Sequence, residues 1–413
     1  MPDRTRLTVE QVARASYGRL LALVAARARD VAAAEDALSE AFAAALATWP
    51  ARGIPEQPEA WLLTVSRRQL IDVQRHRAVQ DAARASFAVL FDELLETTSE
   101  ARFPDERLRL LFACAHPALE RGIRTALMLQ CVLGLEVARI AGAFLTTPAA
   151  LGQRLVRAKR KIRAAGIPFD VPAADELPVR LDDVLDGIYA AYGTGWDDAD
   201  GADARSAGLT AEAIDLAEAV VVLLPQAAEP RGLLALLLFC DARAVARRDA
   251  AGAYVPLSRQ DTRRWQLAQI ARADALLIEA AQPATLGPFQ LEAAIQSAHC
   301  HARLGATVPA SAVLTLYDGL LALRPRLGAM LGRISVLAEV AGNAAALDAL
   351  AALPALRVAE YQPYWALRAH LLERAGERAG AATAYTRAAA LATERAVREF
   401  LLARAAHGGP EQA

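Results

Sequence analysis

The 413-residue chain contains only four cysteines, Cys114, Cys131, Cys240 and Cys300, spaced too widely for the paired knuckles of a zinc site or for a disulfide framework, so they read as buried thiols. Although 54% of the residues are hydrophobic, no uninterrupted apolar run of about 20 residues occurs, and no membrane association is expected. Met1 to Glu10 alternates charges with single apolar residues and lacks the apolar core of a secretory signal, which points to a cytoplasmic location. Phosphate-cradling glycine loops of the GxxxxGK[ST] and GxGxxG types are missing, as is an HExxH zinc helix. Cys114 with His116, and His299 with His301, stand two residues apart on expected helices and cannot share a face. Asp197, Asp198, Asp200, Gly201 and Asp203 miss the ligand register of a calcium loop and read as a solvated acidic loop. No metal, cofactor or catalytic constellation is therefore expected, and the chain is not expected to be an enzyme.

What the sequence does carry is a segregation of charge. The formal net charge is -1, yet residues 1–166 hold 24 Lys+Arg against 18 Asp+Glu, and the remainder 22 against 29. A basic front suits a polyanion, because clustered cations displace the counterions of nucleic acid, and an acidic back would be repelled by the same polymer.

Ala, Leu, Arg and Glu dominate, apolar residues recur at three- and four-residue steps, and β-branched runs are short, so the fold class is all-α. Asp30 is placed to cap a helix through Glu35, Asp36, Leu38 and Phe42 that Pro50, Gly53, Pro55 and Pro58 interrupt. A second helix follows from Glu59 to about Arg77, with Trp61, Leu62, Val65, Leu70, Ile71 and Val73 as its apolar members. Ala78 to Pro104 reads as an acidic linker with partial helix. Helices resume at Asp105 and stop at Gly166 and Pro168, where helix-incompatible residues cluster. The expected layout is 1–78, a linker over 79–104, 105–166, a Pro-rich linker over 167–178, and a helical domain over 179–413. Such a linker would hold the acidic back close to the basic front, with Ile162, Ile167 and Phe169 seeking burial.

The most informative stretch is Arg124 to Arg163, which reads as a helix-turn-helix. Ile140, Ala141 and Phe144 on one helix face Leu151 and Leu155 on the next, Thr147 caps the second helix and Pro148 occupies its first turn. That second helix carries Arg154, Arg157, Lys159, Arg160, Lys161 and Arg163, six cations in ten residues with no acid among them, as a DNA-reading helix requires. Leu145 stands where many such turns place glycine, and Gly152 is a mid-helix irregularity read as tolerated drift.

Three motifs in one order then resemble extracytoplasmic-function sigma factors, promoter-specificity subunits of RNA polymerase. Ala34-Glu35-Asp36-Ala37-Leu38-Ser39-Glu40-Ala41-Phe42 is similar to the start of sigma region two. Ala60 to Asp72 is similar to its promoter-melting and minus-ten helices, and Arg154-Leu155-Val156-Arg157-Ala158-Lys159 to the region four recognition helix. The resemblance covers residues 10–166. The remainder, with Arg107 to Leu119 and Lys159 to Phe169 as signatures, is similar to a subgroup with a long TPR-like C-terminal extension. Around Leu185 to Trp196, read as a loop, the sequence departs from that subgroup's pattern.

The resemblance implies core RNA polymerase and promoter DNA as partners, with Glu35, Asp36 and Glu40 as an acidic docking patch for the polymerase. It also implies Trp61, Arg67, Arg68, Arg75, His76 and Arg77 as the region two DNA surface, and Arg154, Arg157, Lys159, Arg160 and Lys161 as that of region four. Packing spacing favours burial for Trp61. The C-terminal domain, where Trp365, Ala369, Gly376, Ala381, Tyr385 and Ala388 follow TPR-like spacing, is implied to regulate activity and to offer a groove for a regulatory protein. A rival reading is a TPR-type scaffold with a vestigial DNA-binding region.

Overall fold

The computed structural model describes residues 2–28, 30–80, 105–144, 146–167, 172–173, 175–197, 208–282 and 285–407. The described residues are helical almost throughout, with one isolated bridge between Arg248 and Tyr254 and no named strand, as an all-α fold requires. Two compact units divide the chain: residues 1–195 with 203–223, and residues 196–202 with 224–413.

The first unit opens with α1 (Pro2–Ala28), α2 (Val31–Arg52) and α3 (Pro58–Gln80), which pack on one another. Asp30 caps α2 as its position predicts, its carboxylate accepting from the amides of Ala32 at 3.0 Å and Ala33 at 3.2 Å. The helix runs two residues beyond Pro50 and ends on Gly53, whose φ of 85° suits a glycine. Pro50 sits in the last turn, where its ring interrupts little. The segment 81–104, expected as a linker with partial helix, lies outside the described residues.

Next come α4 (Glu106–Cys114), α5 (Arg121–Cys131), α6 (Val137–Ala143) and α7 (Pro148–Ala164). Ile167 donates back to the carbonyl of Ile162 and Gly166 takes a φ of 61°, so α7 stops where the Gly-Ile-Pro sequence predicts. Ile162 and Ile167 are both buried, and Phe169 lies outside the described residues.

The expected parting at 167–178 is not where the compact units part. Helix α8 (Leu177–Asp197) up to Gly195 and α9 (Leu209–Leu223) belong to the first unit, and the stretch around Leu185 to Trp196, read as a loop, is the second half of α8. The hidden signal was Gly187: a Cβ there would stand 2.5 Å from the Met128 sulfur, so α8 approaches the α5 side chains closely at a position that any larger residue would open only by moving Met128. Asp183, 8% exposed, then receives Arg124 at 2.6 Å and Arg121 at 3.4 Å, and Arg107 bonds Glu212 of α9 at 2.7 Å. The acidic loop at 198–203 lies outside the described residues.

This arrangement relocates the charge. Residues 167–223 hold 13 Asp+Glu against 2 Lys+Arg, whereas residues 224–413 hold 16 against 20. The excess acid of the C-terminal half therefore lies in residues 167–223, most of which belong to the first unit, and residues 224–413 are mildly basic.

The second unit contains α10 (Ala228–Asp241), α11 (Leu267–Ala280), α12 (Pro288–Arg303), α13 (Ala310–Leu323), α14 (Leu327–Ala351), the short α15 (Ala355–Val358), α16 (Gln362–Arg374), α17 (Arg378–Leu391) and α18 (Arg395–His407). Most pack against their sequence neighbours. The small residues of α16 and α17 do what their spacing predicts: Ala369, Ala381, Ala384 and Ala388 are buried between the two helices, and Gly376 makes the turn with a φ of 83°. By length and apolarity α14 suffices to cross a membrane, but Gly342 breaks it with a φ of 88°, and Leu331, Ile334, Ala346 and Leu350 supply its core. Between α10 and α11 the chain makes three 3-10 turns around a buried guanidinium. Arg243 donates to the Phe239 carbonyl at 2.9 Å and to Gln296 Oε1 at 2.6 Å, and lies 5.9 Å from the Trp265 ring centre.

His299 is half-buried near that guanidinium, and desolvation, aided by the Arg243 charge, holds its pKa below the ordinary value. His116 and His370 are lowered for the same first reason. Above a pH of about 6.5 these imidazoles are neutral folded and unfolded alike. Below it the unfolded chain binds protons that the folded chain refuses, so stability falls as pH falls towards the lowered folded values. Thermal melts of the intact protein are expected to move down between pH 7 and pH 5, and His299→Gln to flatten that slope.

Candidate nucleic-acid interface

The α6–turn–α7 element is built on a four-residue core stripe. Leu151, Leu155, Ala158 and Ile162 are buried, as is Ile140 of α6, and α6 packs on α7. Thr147 accepts from the Ala150 amide at 3.3 Å and Pro148 fills the first turn, so the helix begins where its cap predicts. Leu145 lies outside the described residues. A Cβ at Gly152 would meet only Val137, at 3.9 Å, so the position faces α6 and alanine would fit.

Burying that stripe turns Gln153, Val156, Arg157, Arg160 and Lys161 outward. Arg157, Arg160 and Lys161 thus form the exposed cationic face that the sequence predicts. Arg154 is half-buried, 3.3 Å from Glu120 in a bond that solvent screens. Lys159 points the other way, its side chain 11% exposed and its Nζ at 2.6 and 2.7 Å from the two oxygens of Glu35. Burial alone would lower its pKa, but the neighbouring Cys131 sulfur and the Glu35 carboxylate more than reverse this, and the value is raised.

Of the three acids grouped as a docking patch, Asp36 and Glu40 are exposed one turn apart on α2, whereas Glu35 turns inward to Lys159. The structure therefore splits both expected clusters: one acid and one cation leave their sets to meet each other.

On α3, Leu62, Ser66 and Leu70 are buried and Arg67 and Arg68 are exposed. Trp61 is half-buried edge-on to Trp49, ring centres 5.4 Å apart, which agrees with the packing role that its spacing favours. Ile71, expected on the apolar face, is 41% exposed beside the two arginines. Arg75, His76 and Arg77 are placed on α3, but their side chains lie outside the described residues.

Sequence reasoning missed the seam between α1 and the α5–α6 turn. A Cβ on Gly18 would overlap the Val132 carbonyl, and the Tyr17 ring lies 3.0 Å from where a Gly134 Cβ would stand. Burial, followed by the Glu35 charge, raises the Tyr17 pKa, so its hydroxyl stays protonated. The one available signal was Gly18 itself, a glycine in the interior of a strong helix. A cavity of about 510 Å³ lined by Val9, Glu10, Ala13, Tyr17, Phe42, Leu133 and Gly134 opens beside this seam. Among the described residues no group of three or more His, Cys, Asp and Glu side chains converges as metal ligands.

The α1–α3 helices, with basic residues exposed on α3, coincide with a known module: Sigma-70 region 2 matches residues 12–79, the part of a transcription initiation factor that meets core RNA polymerase and promoter DNA. Residues 180–281 match a family of unknown function, DUF6596, which begins in α8 and runs into the second unit. The chain is 38% identical over 389 residues to the uncharacterized protein R00370 of Rhizobium meliloti (strain 1021), covering 90% of this chain and 92% of that protein, and the two belong to one family. No solved structure matches.

Proposed function

We propose that the chain is a sigma factor of the extracytoplasmic-function type with a TPR-like C-terminal extension that regulates it. In this reading α3 engages the melted minus-ten strand through Arg67 and Arg68, and α7 reads duplex minus-thirty-five DNA. Asp36 and Glu40 meet a basic surface of core polymerase. The observation that carries it is the outward stripe of Arg157, Arg160 and Lys161, on a capped helix that follows a matched Sigma-70 region 2. The paired helices α16 and α17, nested on alanines, support the TPR-like description of the extension.

In vitro transcription tests it. The purified protein added to core polymerase is expected to give discrete, promoter-dependent transcripts from fragments of its host genome, and Asp36→Ala with Glu40→Ala to reduce co-purification with core polymerase. A chain that directs no initiation on any fragment would leave the reading without support.

A further inference from the structure

The second unit holds a contact that its helical order does not account for. Helices of a repeat array touch their sequence neighbours, as most do here, yet Arg248 bonds Glu394, 146 residues further along the chain. The contact is made by the connection between α10 and α11. Helix–helix connections usually run about 2 to 8 residues, whereas this one occupies residues 242–266.

Within it, residues 247–255 form a self-supporting hairpin. The Asp249 amide donates to the Ala253 carbonyl at 3.0 Å and the Val255 amide to that of Arg247 at 2.8 Å. The Asp249 carboxylate accepts from the amides of Ala251 and Ala253, each at 2.9 Å, and Gly252 turns the tip with a φ of 82°. Behind the hairpin, Arg264 donates to the carbonyls of Val245 at 2.7 Å and Arg248 at 2.5 Å, and Gln260 to that of Val255 at 3.2 Å. All these bonds fall inside residues 245–264, so they hold the hairpin whether or not α18 is near.

The hairpin meets the far end of the array through side chains. Arg248 bonds Glu394 Oε1 and Arg247 Nη2 stands 3.5 Å from Oε2, with the carboxylate 8% exposed. Tyr254 lies edge-on to Phe400 of α18, ring centres 5.4 Å apart. The receiving surface is equally self-contained. The Glu394 carbonyl accepts from the Arg398 amide at 3.0 Å, which places Glu394 at the N-cap of α18, where the helix dipole favours a carboxylate. Phe400 packs on the core in which Ala388, Ala389 and Leu401 are buried.

We propose that Glu394 and Phe400 form a recognition site for a protein segment presenting two adjacent arginines and an aromatic residue, and that residues 247–254 fill it as an internal ligand. A partner segment of the same chemistry enters by exchange. The carboxylate keeps guanidinium partners before and after, so no buried charge is stranded. The tethered hairpin competes at the millimolar effective concentration of a short linker, which closes the site to weak ligands. The site lies wholly within the second unit, so it stands whether or not the first unit directs transcription.

The probe is a fluorescein-labelled peptide with the sequence of residues 244–258, added to the full-length protein and followed by fluorescence anisotropy. Arg247→Ala with Arg248→Ala withdraws the internal ligand, and the peptide is expected to bind that variant at least about tenfold more tightly than the unmodified protein. A peptide with citrulline at both arginine positions keeps the shape, loses the charge and is expected to lose that gain, as is the variant when Glu394→Gln is added. Tyr254→Ala loosens the hairpin without leaving a carboxylate unpaired. It is expected to tighten peptide binding by about threefold, which covers the case of a double-arginine variant that does not fold. Equal binding of the arginine and citrulline peptides would overturn the chemistry of the site. Peptide binding to the unmodified protein as tight as to the variants would overturn the internal-ligand role. No peptide binding by a variant that melts cooperatively would show that the contact is a structural clasp and overturn the proposal.

Discussion

A chain ending at Gly166 is expected to lose its folded N-terminal unit. The cut falls at an obvious stop signal, yet it removes α8, whose Val184, Leu185, Ile188, Ala191 and Tyr192 are all buried. At about 1.5 to 3 kcal/mol for each fully buried large side chain, the loss is on the order of 10 kcal/mol as an upper bound. That is comparable to the whole stability of an ordinary domain. The same cut takes Asp183 from Arg124 and Glu212 from Arg107, leaving two mostly buried guanidiniums without those carboxylates. Circular dichroism melts and light scattering on chains ending at Gly166 and at Leu223 separate the cases: the shorter is expected to aggregate and the longer to unfold cooperatively. A well-behaved monomer from the shorter chain would show that α8 is an accessory.

The second large effect is on nucleic-acid affinity. Replacing Arg157, Arg160 and Lys161 together with alanine is expected to weaken binding to random duplex DNA by about 10²-fold or more at moderate salt. The log–log salt slope should fall by roughly 2.7, about 0.9 for each phosphate no longer neutralised. Arg157→Ala alone is expected to cost about 1 to 3 kcal/mol on the true promoter if it reads a base edge, and Arg154→Ala less, because Arg154 is half-buried beside Glu120. Titrations by fluorescence anisotropy at four salt concentrations measure both quantities. A slope unchanged in the triple variant would move the DNA surface off α7.

Sequence and structure agree at short range and part at long range. The Asp30 and Thr147 caps, the stop at Gly166, the alanine nest of α16 and α17 and the inward stripe of α7 were legible, because each is decided by residues within a few positions of one another. What was not legible is pairing across distance. Six clustered cations read as one face, but helical geometry gives 17 residues more than one face, and only the position of Glu35, 124 residues away, decides that Lys159 turns inward. The acidic C-terminal half misled for a similar reason: composition averaged over 167–413 hides that its acid is densest before residue 224, where Asp183 and Glu212 pair with Arg124 and Arg107 of the first unit. The stretch from Leu185 to Trp196 read as a loop where the sequence departs from the resembled pattern, whereas it is helical and its Gly187 lies where a Cβ would crowd the Met128 sulfur.

The separation of 124 residues between Glu35 and Lys159 also fixes an order of events at the ribosome. At about 5 to 20 residues per second, roughly 6 to 25 s pass between the synthesis of the acid and that of the lysine that covers it, and α8 follows later still. From the completion of α3 at Gln80 onward the region 2 helices have been made while their intramolecular partner has not. A nascent chain therefore presents Glu35 uncovered, and a basic partner that meets it during synthesis competes with nothing. The same partner arriving after release must displace a formed ion pair and a closed seam.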